Sequence, residues 1–220
     1  MKISCVIPAY NEASHILAVV TQVRPFVNEI IVVDDCSKDD TARLAKNAGA
    51  LVLHHVINRG QGAALRTGTA YALINGADII IHFDADGQFS ATEIPDLIRP
   101  ILEKRAETVL GSRFLNKKSD LPWSKEHLIM PLARGINRLF FNIRLSDPQS
   151  GFRALSRDAA SKIKIQNDGM AHCSEILYQL MAKKIKVQEV PITVTYNEYG
   201  QKFSGGLKII KDLLIQKLIN

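Results

Sequence analysis

Two carboxylates, Asp84 and Asp86, stand one residue apart at the end of an apolar run, and Gln88 follows two residues later. If the loop bends between them, both carboxylates can face one hard cation. Oxygen ligands suit Mg²⁺ or Mn²⁺, and such sites use one or two carboxylates and leave positions for substrate phosphates. The small Ala85 leaves room for a ligand close to the main chain. This stretch therefore predicts a metal-binding site at which the cation also contacts the phosphates of a ligand.

Three other interpretations of this stretch and its neighbourhood are weaker. Phosphatases with an aspartyl nucleophile also carry DxDG, but usually with Thr or Val next and on the first strand, whereas Gln88 follows here on the fourth. An EF-hand loop that began at Asp84 would need Glu at its twelfth position, where Pro95 stands. The GxGxxG fingerprint of nicotinamide enzymes is absent after the first predicted strand. The calcium loop is excluded, the nicotinamide enzyme is disfavoured, and the phosphatase stays a distant alternative.

The elements that must position these residues alternate along the chain. Short β-branched runs predict strands and the longer amphipathic segments between them predict helices, which is the pattern of a βαβ series. Continuously apolar strands indicate a sheet covered on both faces. The sequence therefore predicts an α/β fold with a mixed, mainly parallel sheet flanked by helices. The predicted strands are 3–7, 29–34, 51–54, 79–83, 108–111, 187–190 and 192–194, and the predicted helices are 13–23, 41–48, 61–74, 92–102 and 173–183.

Length and hydropathy fit one domain with an extension. At 220 residues and 46% hydrophobic content, the chain has the size and composition of a soluble globular protein. No apolar run approaches the ~18 residues that a membrane span needs, and Pro8 interrupts the N-terminal run too soon for a signal peptide. We expect a cytoplasmic protein with one domain over residues 1–200, and a basic amphipathic C-terminal helix over 201–220.

Other polar segments fall where predicted strands end. They are 8–12 (PAYNE) after the first strand, 34–39 (DDCSKD) after the second, and 58–64 (NRGQGAA) at the start of a helix. Each alone is ordinary turn and cap chemistry. Because ligands of open α/β sheets bind outside the carboxyl ends of the strands, their joint position on one edge predicts a single binding site.

In this order, the motifs VIPAYNE, VVDDCSKDDT, NRGQGAAL, FDADGQF, GSRF and SGFRA resemble those of family 2 glycosyltransferases, which have the Rossmann-like GT-A fold. The likeness runs from residue 3 to about residue 195. It is greatest to the dolichol-phosphate mannosyltransferase group, which transfers a sugar from a nucleotide sugar to a polyprenyl phosphate. The resemblance implies an inverting, metal-dependent enzyme with a donor of the GDP-mannose or UDP-glucose type.

The resemblance also implies roles for single residues. Asp86 and Gln88 would hold Mg²⁺ or Mn²⁺ against the diphosphate, and Asp86 would thereby be catalytic. Asp84 and Ala85 would touch the nucleotide sugar, and Asp35 would lie near the base or ribose. The remaining residues of the implied nucleotide pocket are Pro8, Ala9, Tyr10 and Glu12.

Basic residues are implied for the phosphates. Arg113 and Arg134 resemble the family's catalytic phosphate-contacting arginines, a task that suits the two-point hydrogen bonding of guanidinium. Lys202 resembles a late basic residue that closes over the diphosphate, although residues 196–198 (YNE) stand where the family often carries arginine. The SGF turn at 150–152 would border the acceptor.

The acceptor decides whether the reaction needs a base. A sugar hydroxyl must lose a proton in the transition state, whereas a phosphate monoester is already an anion at neutral pH. One alternative is therefore a family member acting on a saccharide or protein hydroxyl, with Glu175 as candidate base, although a carboxylate at a helix N-terminus is also stabilised by the helix dipole. Another is a non-catalytic nucleotide-sugar-binding subunit, which is disfavoured because the DADGQ stretch is intact.

Charge is unevenly spread over the chain. Residues 1–110 contain 10 Lys and Arg against 13 Asp and Glu, and residues 111–220 contain 18 against 9. The basic second half, with its amphipathic tail, predicts peripheral binding to an anionic membrane surface on the cytoplasmic side. Alternatively the tail packs on the domain, or on a membrane-protein or homo-oligomeric partner. We expect no nucleic-acid partner.

The cysteines and histidines show no metal-binding pattern. The three cysteines have neither CxxC pairing nor a histidine at zinc spacing, and Cys5 is expected to be a reduced core residue. His82 is expected to be packed rather than catalytic. The sequence indicates no role for His54 or His55.

Overall fold

The computed structural model describes residues 1–115 and 145–195. The strands in this part are β1 (Ile3–Ala9), β2 (Glu29–Asp34), β3 (Leu51–His54), β4 (Ile79–His82), β5 (Thr108–Ser112), β6 (Arg153–Ser156) and β7 (Val187–Pro191). They form one seven-stranded sheet in the order β3-β2-β1-β4-β6-β5-β7. Neighbouring strands are parallel except at β6, which is antiparallel to both β4 and β5.

Helices cover both faces of this sheet. The described helices are α1 (Ile16–Val23), α2 (Thr41–Asn47), α3 (Gln61–Ile74), α4 (Ile94–Leu102), α5 (Arg157–Lys162) and α6 (His172–Ala182), with short 3₁₀ turns at Arg24–Phe26 and Ala91–Glu93. Helices α1, α2 and α4 share a core cluster on one face, and α3, α5 and α6 share a cluster on the other. The predicted fold class, a mainly parallel sheet flanked by helices, is confirmed.

The alternation of side chains along β4 explains this two-sided core. Ile79 and Ile81 belong to the cluster under α1 and α4, and Ile80 belongs to the opposite cluster. Successive side chains of a strand point to opposite faces, so a continuously apolar strand is stable only when both faces are covered. Each fully buried isoleucine contributes about 1.5–3 kcal/mol.

Most predicted elements are observed within one to three residues of their predicted ends. The strands at 29–34 and 51–54 and the helix at 61–74 have the predicted bounds. β1 extends to Ala9, and α1 begins only at Ile16. The helix predicted from residue 92 is preceded by a 3₁₀ turn and begins at Ile94.

Two elements are absent from the sequence prediction. β6 is only four residues long and begins with Arg153, so its pattern does not indicate a strand. Helix α5 has six residues and follows directly, with the Oγ of Ser156 accepting a hydrogen bond of 3.2 Å from the Ala159 N–H. The short strand β6 forms because the neighbouring strands β4 and β5 pair with it on both sides.

Several predictions lie outside the described residues. These are the positions of Arg134 and Lys202 and the C-terminal helix over 201–220. In the described ranges, no helix is both long and apolar enough to cross a membrane. Cys5 is fully buried and His82 is 2% exposed, as expected.

Candidate active site

A cavity of about 710 Å³ opens at the carboxyl ends of β1, β2 and β4, where the sequence predicts a site. Its wall includes these predicted residues: Pro8, Ala9, Tyr10, Glu12, Asp35, Asp84, Ala85, Asp86, Gln88 and Arg113. The wall also contains Met170, Cys173 and Val194, which the motifs did not indicate. The structure thus brings together residues that are far apart in the sequence.

Asp84 is fixed by two contacts. Its Oδ1 accepts a hydrogen bond of 2.9 Å from Nε2 of Gln61, at the start of α3. Gly151 approaches so closely that a Cβ at that position would lie 2.4 Å from Oδ2 of Asp84. Only glycine permits this approach, which gives the SGF turn a structural reason to contain glycine next to this carboxylate.

The ionisation of Asp84 is strongly influenced by its surroundings. Burial and the negative charge of Asp86 raise its pKa to about 6, while Arg153, His172 and Arg113 act in the opposite direction. Burial is the largest cause of this rise, and repulsion from Asp86 comes second.

A divalent cation fits this pair. A cation would relieve the repulsion between Asp84 and Asp86, and the oxygens of Asp84, Asp86 and Gln88 are ligands of the type that Mg²⁺ and Mn²⁺ prefer. Over residues 1–115 and 145–195, no three His, Cys, Asp or Glu side chains are grouped closely enough to hold a metal by themselves. A cation here would complete its coordination with water or with ligand phosphates.

The loop after β4 presents Asp86 and Gln88 together. The Gln88 N–H donates a hydrogen bond of 3.0 Å to Oδ1 of Asp86. Gly87 has a φ of 72°, a left-handed conformation that favours glycine at this turn. The carbonyl of Gln88 in turn accepts a hydrogen bond of 3.0 Å from the Thr195 N–H.

Three phenylalanines support this loop from the core. Phe83 meets Phe152 edge-on with ring centroids 5.0 Å apart, and Phe89 lies 5.8 Å from Phe83 and 5.3 Å from Phe152. Because Phe83 and Phe89 flank the acidic loop and Phe152 precedes β6, the cluster joins the loop to the SGF turn. Such aromatic pairs add about 0.5–1.5 kcal/mol beyond area burial.

Asp35 belongs to a network that includes a histidine without a predicted role. Nδ1 of His55 lies 2.6 Å from Oδ1 of Asp35, and Nε2 lies 2.9 Å from Oγ1 of Thr67. Asp35 also accepts hydrogen bonds from the backbone N–H groups of Arg59 and Gly60. His55 therefore orients Asp35, and Asp35 in turn fixes the loop that enters α3.

The glycines of NRGQG accommodate another backbone segment. A Cβ at Gly60 would lie 2.4 Å from the carbonyl oxygen of Asp168, and one at Gly62 would lie 2.0 Å from that of Asn167. The N–H of Gly62 donates a hydrogen bond of 2.8 Å to the Asp168 carbonyl. That N–H is therefore hydrogen-bonded within the protein. The two glycines let the segment before α6 pack against α3.

Arg113 lies on the cavity wall as predicted, with a partner that the sequence did not indicate. Its guanidinium forms two hydrogen bonds with Asp147, of 2.6 Å and 2.7 Å. Glu189 fixes the Asp147 segment by accepting hydrogen bonds from the backbone N–H groups of Ser146 and Asp147. The orientation of Arg113 thus depends on two buried or partly buried acids.

Glu175, the candidate base for a hydroxyl acceptor, has a different position. It is 8% exposed and does not line the cavity. Its carboxylate accepts hydrogen bonds from the backbone N–H groups of Gln166 (3.0 Å) and Asn167 (2.9 Å). Glu175 therefore stabilises the segment before α6.

Comparisons with known proteins identify the family of this chain. A family model described as glycosyl transferase family 2 matches residues 4–164. The chain is 34% identical over 245 residues to the UDP-N-acetylglucosamine–dolichyl-phosphate N-acetylglucosaminyltransferase of Methanococcus voltae, covering 97% of this chain and 95% of that protein. It is 28% identical to the undecaprenyl-phosphate mannosyltransferase of Micrococcus luteus, covering 94% of this chain and 89% of that protein.

A similar solved structure identifies the fold. The glucosyl-3-phosphoglycerate synthase of Mycobacterium tuberculosis, crystallised with Mn²⁺, UDP and glucosyl-3-phosphoglycerate, superimposes with a TM-score of 0.76 at 22% identity. The match covers 97% of this chain and 78% of that chain. The fold is therefore that of the GT-A glycosyltransferases. The chain belongs to glycosyl transferase family 2 and is a glycosyltransferase.

Proposed function

We propose that this enzyme transfers a hexose from a nucleotide sugar to a polyprenyl phosphate, with Mg²⁺ or Mn²⁺ as cofactor and with inversion at the anomeric carbon. One observation carries the proposal: Asp84, Asp86, Gln88 and Arg113 line the same cavity. Carboxylate and amide oxygens suit a divalent cation, and guanidinium suits phosphates, so the cavity offers both groups that a sugar diphosphate requires.

The donor lies along the carboxyl ends of β1 and β2 in this proposal. Pro8, Ala9, Tyr10 and Glu12 line its nucleotide part, and Asp35 lies near the base or ribose. Tyr10 is 43% exposed, so its ring is available to pack against a ligand. The proposal covers donors of the GDP-mannose and the UDP-glucose type.

The acidic loop faces the diphosphate and the sugar. Asp86 and Gln88 would hold the cation, and Asp84 and Ala85 would contact the nucleotide sugar. A bound divalent cation would offset the negative charge that develops on the departing nucleoside diphosphate. The Gln61 side chain holds Asp84 and the Gln88 N–H holds Asp86, so the two carboxylates need no large rearrangement when the ligand enters.

The acceptor side requires cations but no base. A polyprenyl phosphate is an anion at neutral pH, so its oxygen can attack the anomeric carbon without losing a proton first. Arg113, Arg134 and Lys202 are proposed to contact the phosphates. The involvement of Glu175 in backbone hydrogen bonds supports this choice over a hydroxyl acceptor, as do the relatives named for dolichyl and undecaprenyl phosphate.

A lipid acceptor calls for contact with a membrane. The basic segment 201–220 is proposed to bind an anionic surface peripherally on the cytoplasmic side, gaining about 1 kcal/mol per basic residue near the surface. Vesicle sedimentation checks this: binding should be stronger to anionic than to neutral vesicles at low salt, and equal binding to both would contradict it.

Transfer of labelled hexose to a lipid-extractable product tests the function. A panel of UDP- and GDP-sugars is incubated with a polyprenyl phosphate and Mn²⁺, and the label in the organic phase is counted. We expect label with at least one donor, none with EDTA, and none with a folded Asp86→Asn variant. Label that appears only in saccharide or protein products would overturn the lipid acceptor.

A further inference from the structure

A cysteine and a histidine at the start of α6 form a pair that the proposed reaction does not use. Cys173 lies on the cavity wall and is 5% exposed, and its Sγ lies 3.4 Å from Nε2 of His172. Nδ1 of His172 lies 2.9 Å from the carbonyl oxygen of Gly169. A carbonyl can only accept, so Nδ1 carries the hydrogen of the neutral ring and Nε2 can take the thiol proton.

A buried guanidinium meets the same sulfur. Arg153 is 1% exposed, and its Nη2 donates a hydrogen bond of 3.3 Å to Sγ of Cys173. Its other partners are the carbonyls of Ser150 and Gly151, and no carboxylate in the described ranges forms an ion pair with it. Because a buried charge is stabilised by a counter-charge, this arginine favours a thiolate at Cys173, as it favours the ionised form of Asp84.

The ionisation of the thiol agrees with this arrangement. Burial acts to raise the pKa of Cys173, but Arg153 and His172 together outweigh it, and the pKa is lowered to about 7. A thiol with such neighbours is more reactive than an ordinary cysteine, because the thiolate is the nucleophilic form.

A second feature near the sulfur is a buried hydroxyl that can still form a hydrogen bond. Ser150 is 5% exposed and lines the same cavity. Its Oγ is buried and has no hydrogen-bond partner among the described residues. Buried hydroxyls normally have partners, so Ser150 offers a hydrogen bond to a polar group bound next to Cys173.

We propose that Cys173 is a modification site, where small soft electrophiles that enter the cavity alkylate the sulfur and stop glycosyl transfer. With iodoacetamide, Sγ forms a bond to the methylene carbon, the carbon–iodine bond breaks and iodide leaves. The thiol proton passes to Nε2 of His172 and then to water. The added carboxamide occupies the cavity beside Ser150 and can accept its hydrogen bond.

The other two cysteines provide internal controls. Cys5 is fully buried in the core, and burial raises its pKa far above the usual range, so it stays inert in the folded protein. Cys36 is partly exposed, and its Sγ lies 3.7 Å from the Val56 carbonyl. Cys36 therefore reports the reactivity of a cysteine that has no histidine or arginine partner within residues 1–115 and 145–195.

Limiting iodoacetamide followed by peptide mass spectrometry tests the site without any turnover. We expect Cys173 to be labelled at least about tenfold faster than Cys5. His172→Gln should slow the labelling of Cys173 about tenfold. In the same variant, Cys36 should react at its wild-type rate and Cys5 should stay protected, and the protection of Cys5 shows that the variant is folded. Either of two results would overturn the proposal. In one, Cys173 is still unlabelled when Cys36 is fully labelled; in the other, Cys173 is labelled at the same rate in His172→Gln as in the wild-type protein.

The effect on transfer rests on the proposed function and is measured separately. Cys36→Gly removes the competing thiol and suits the φ of +65° at that position. In this background, lipid-linked product should fall in proportion to the fraction of Cys173 labelled. Full labelling with retained transfer would contradict inhibition by the label, whereas an absence of transfer by the unlabelled wild-type protein would instead contradict the proposed function.

Discussion

The guanidinium of Arg113 and the carboxylate of Asp147 form a two-point ion pair, with Nε 2.6 Å from Oδ2 and Nη2 2.7 Å from Oδ1. The Asp147 side chain is fully buried. Glu189 fixes the same segment through the Asp147 N–H, at 3.0 Å. Asp147 is thus a positioning residue for the arginine that is proposed to contact phosphate.

Asp147→Asn should lower kcat/KM for the nucleotide sugar by about 10- to 100-fold, because an amide cannot accept both hydrogen bonds of the guanidinium fork. Arg113→Lys should have a similar effect, since ammonium makes no two-point contact. Arg99→Lys is the control, because its pair with Asp96 is on the exposed surface of α4. Wild-type kinetics for Asp147→Asn would contradict the positioning role.

Gly151→Ala should reduce transfer at least about tenfold, because the new Cβ would lie 2.4 Å from Oδ2 of Asp84 and displace that carboxylate. The free energy of unfolding should fall by about 1–3 kcal/mol from overpacking. Gly169→Ala is the matched control, since nothing lies within 4 Å of a Cβ there. Equal activity of the two variants would show that Asp84 does not depend on Gly151.

Stability without metal should depend on pH through Asp84. Its folded pKa of about 6 lies above the ordinary 3.8, so the folded protein holds this proton more tightly than the unfolded chain does. Asp84 therefore destabilises the fold increasingly as pH rises from about 4 to 6, and the effect is complete above that range. In EDTA, we expect Asp84→Asn to have a higher Tm than wild type at pH 8 and a similar Tm at pH 4.

Mn²⁺ binding gives the complementary measurement. The affinity of the wild-type protein for Mn²⁺ should weaken as pH falls through 6, because protonation removes a negative charge beside Asp86. An affinity that does not change between pH 5 and pH 8, or an equal Tm for both proteins at pH 8, would argue against the raised pKa of Asp84.

His55→Gln should raise KM for the nucleotide sugar more than it changes kcat, because Asp35 loses the partner that orients it. The free energy of unfolding should fall by about 1–3 kcal/mol, since the side chain of His55 is only 7% exposed. The adjacent His54 is the control: its side chain is 60% exposed, so His54→Gln should change stability by less than about 0.5 kcal/mol. Equal changes of KM and of stability in His55→Gln and His54→Gln would contradict the orienting role of His55 toward Asp35.

The sequence predicts what depends on local pattern. Apolar runs predict the parallel strands, and the position of Asp84 and Asp86 after such a run predicts their place at the sheet edge. The contact between Asp35 and His55 is not predictable in this way, because it follows from the pairing of β2 with β3 in one register, Asp34 opposite His54.

Long-range partners are missed for the same reason. The sequence does not indicate that Arg153 is buried, which follows from the pairing of β6 between β4 and β5. Asp147 has no motif that links it to Arg113, which is 34 residues away. The residues that bear the proposed chemistry were thus found from motifs, whereas those that orient them required the fold.

Calorimetric titration of nucleotide sugars, with Mn²⁺ and with EDTA, tests the central claim most directly, that the cavity is a metal-assisted nucleotide-sugar site. We predict that at least one UDP- or GDP-sugar binds at least about tenfold more tightly with Mn²⁺, and that Asp86→Asn abolishes this difference while the variant remains folded. Equal affinities in Mn²⁺ and EDTA, or a metal effect that persists in Asp86→Asn, would contradict the account.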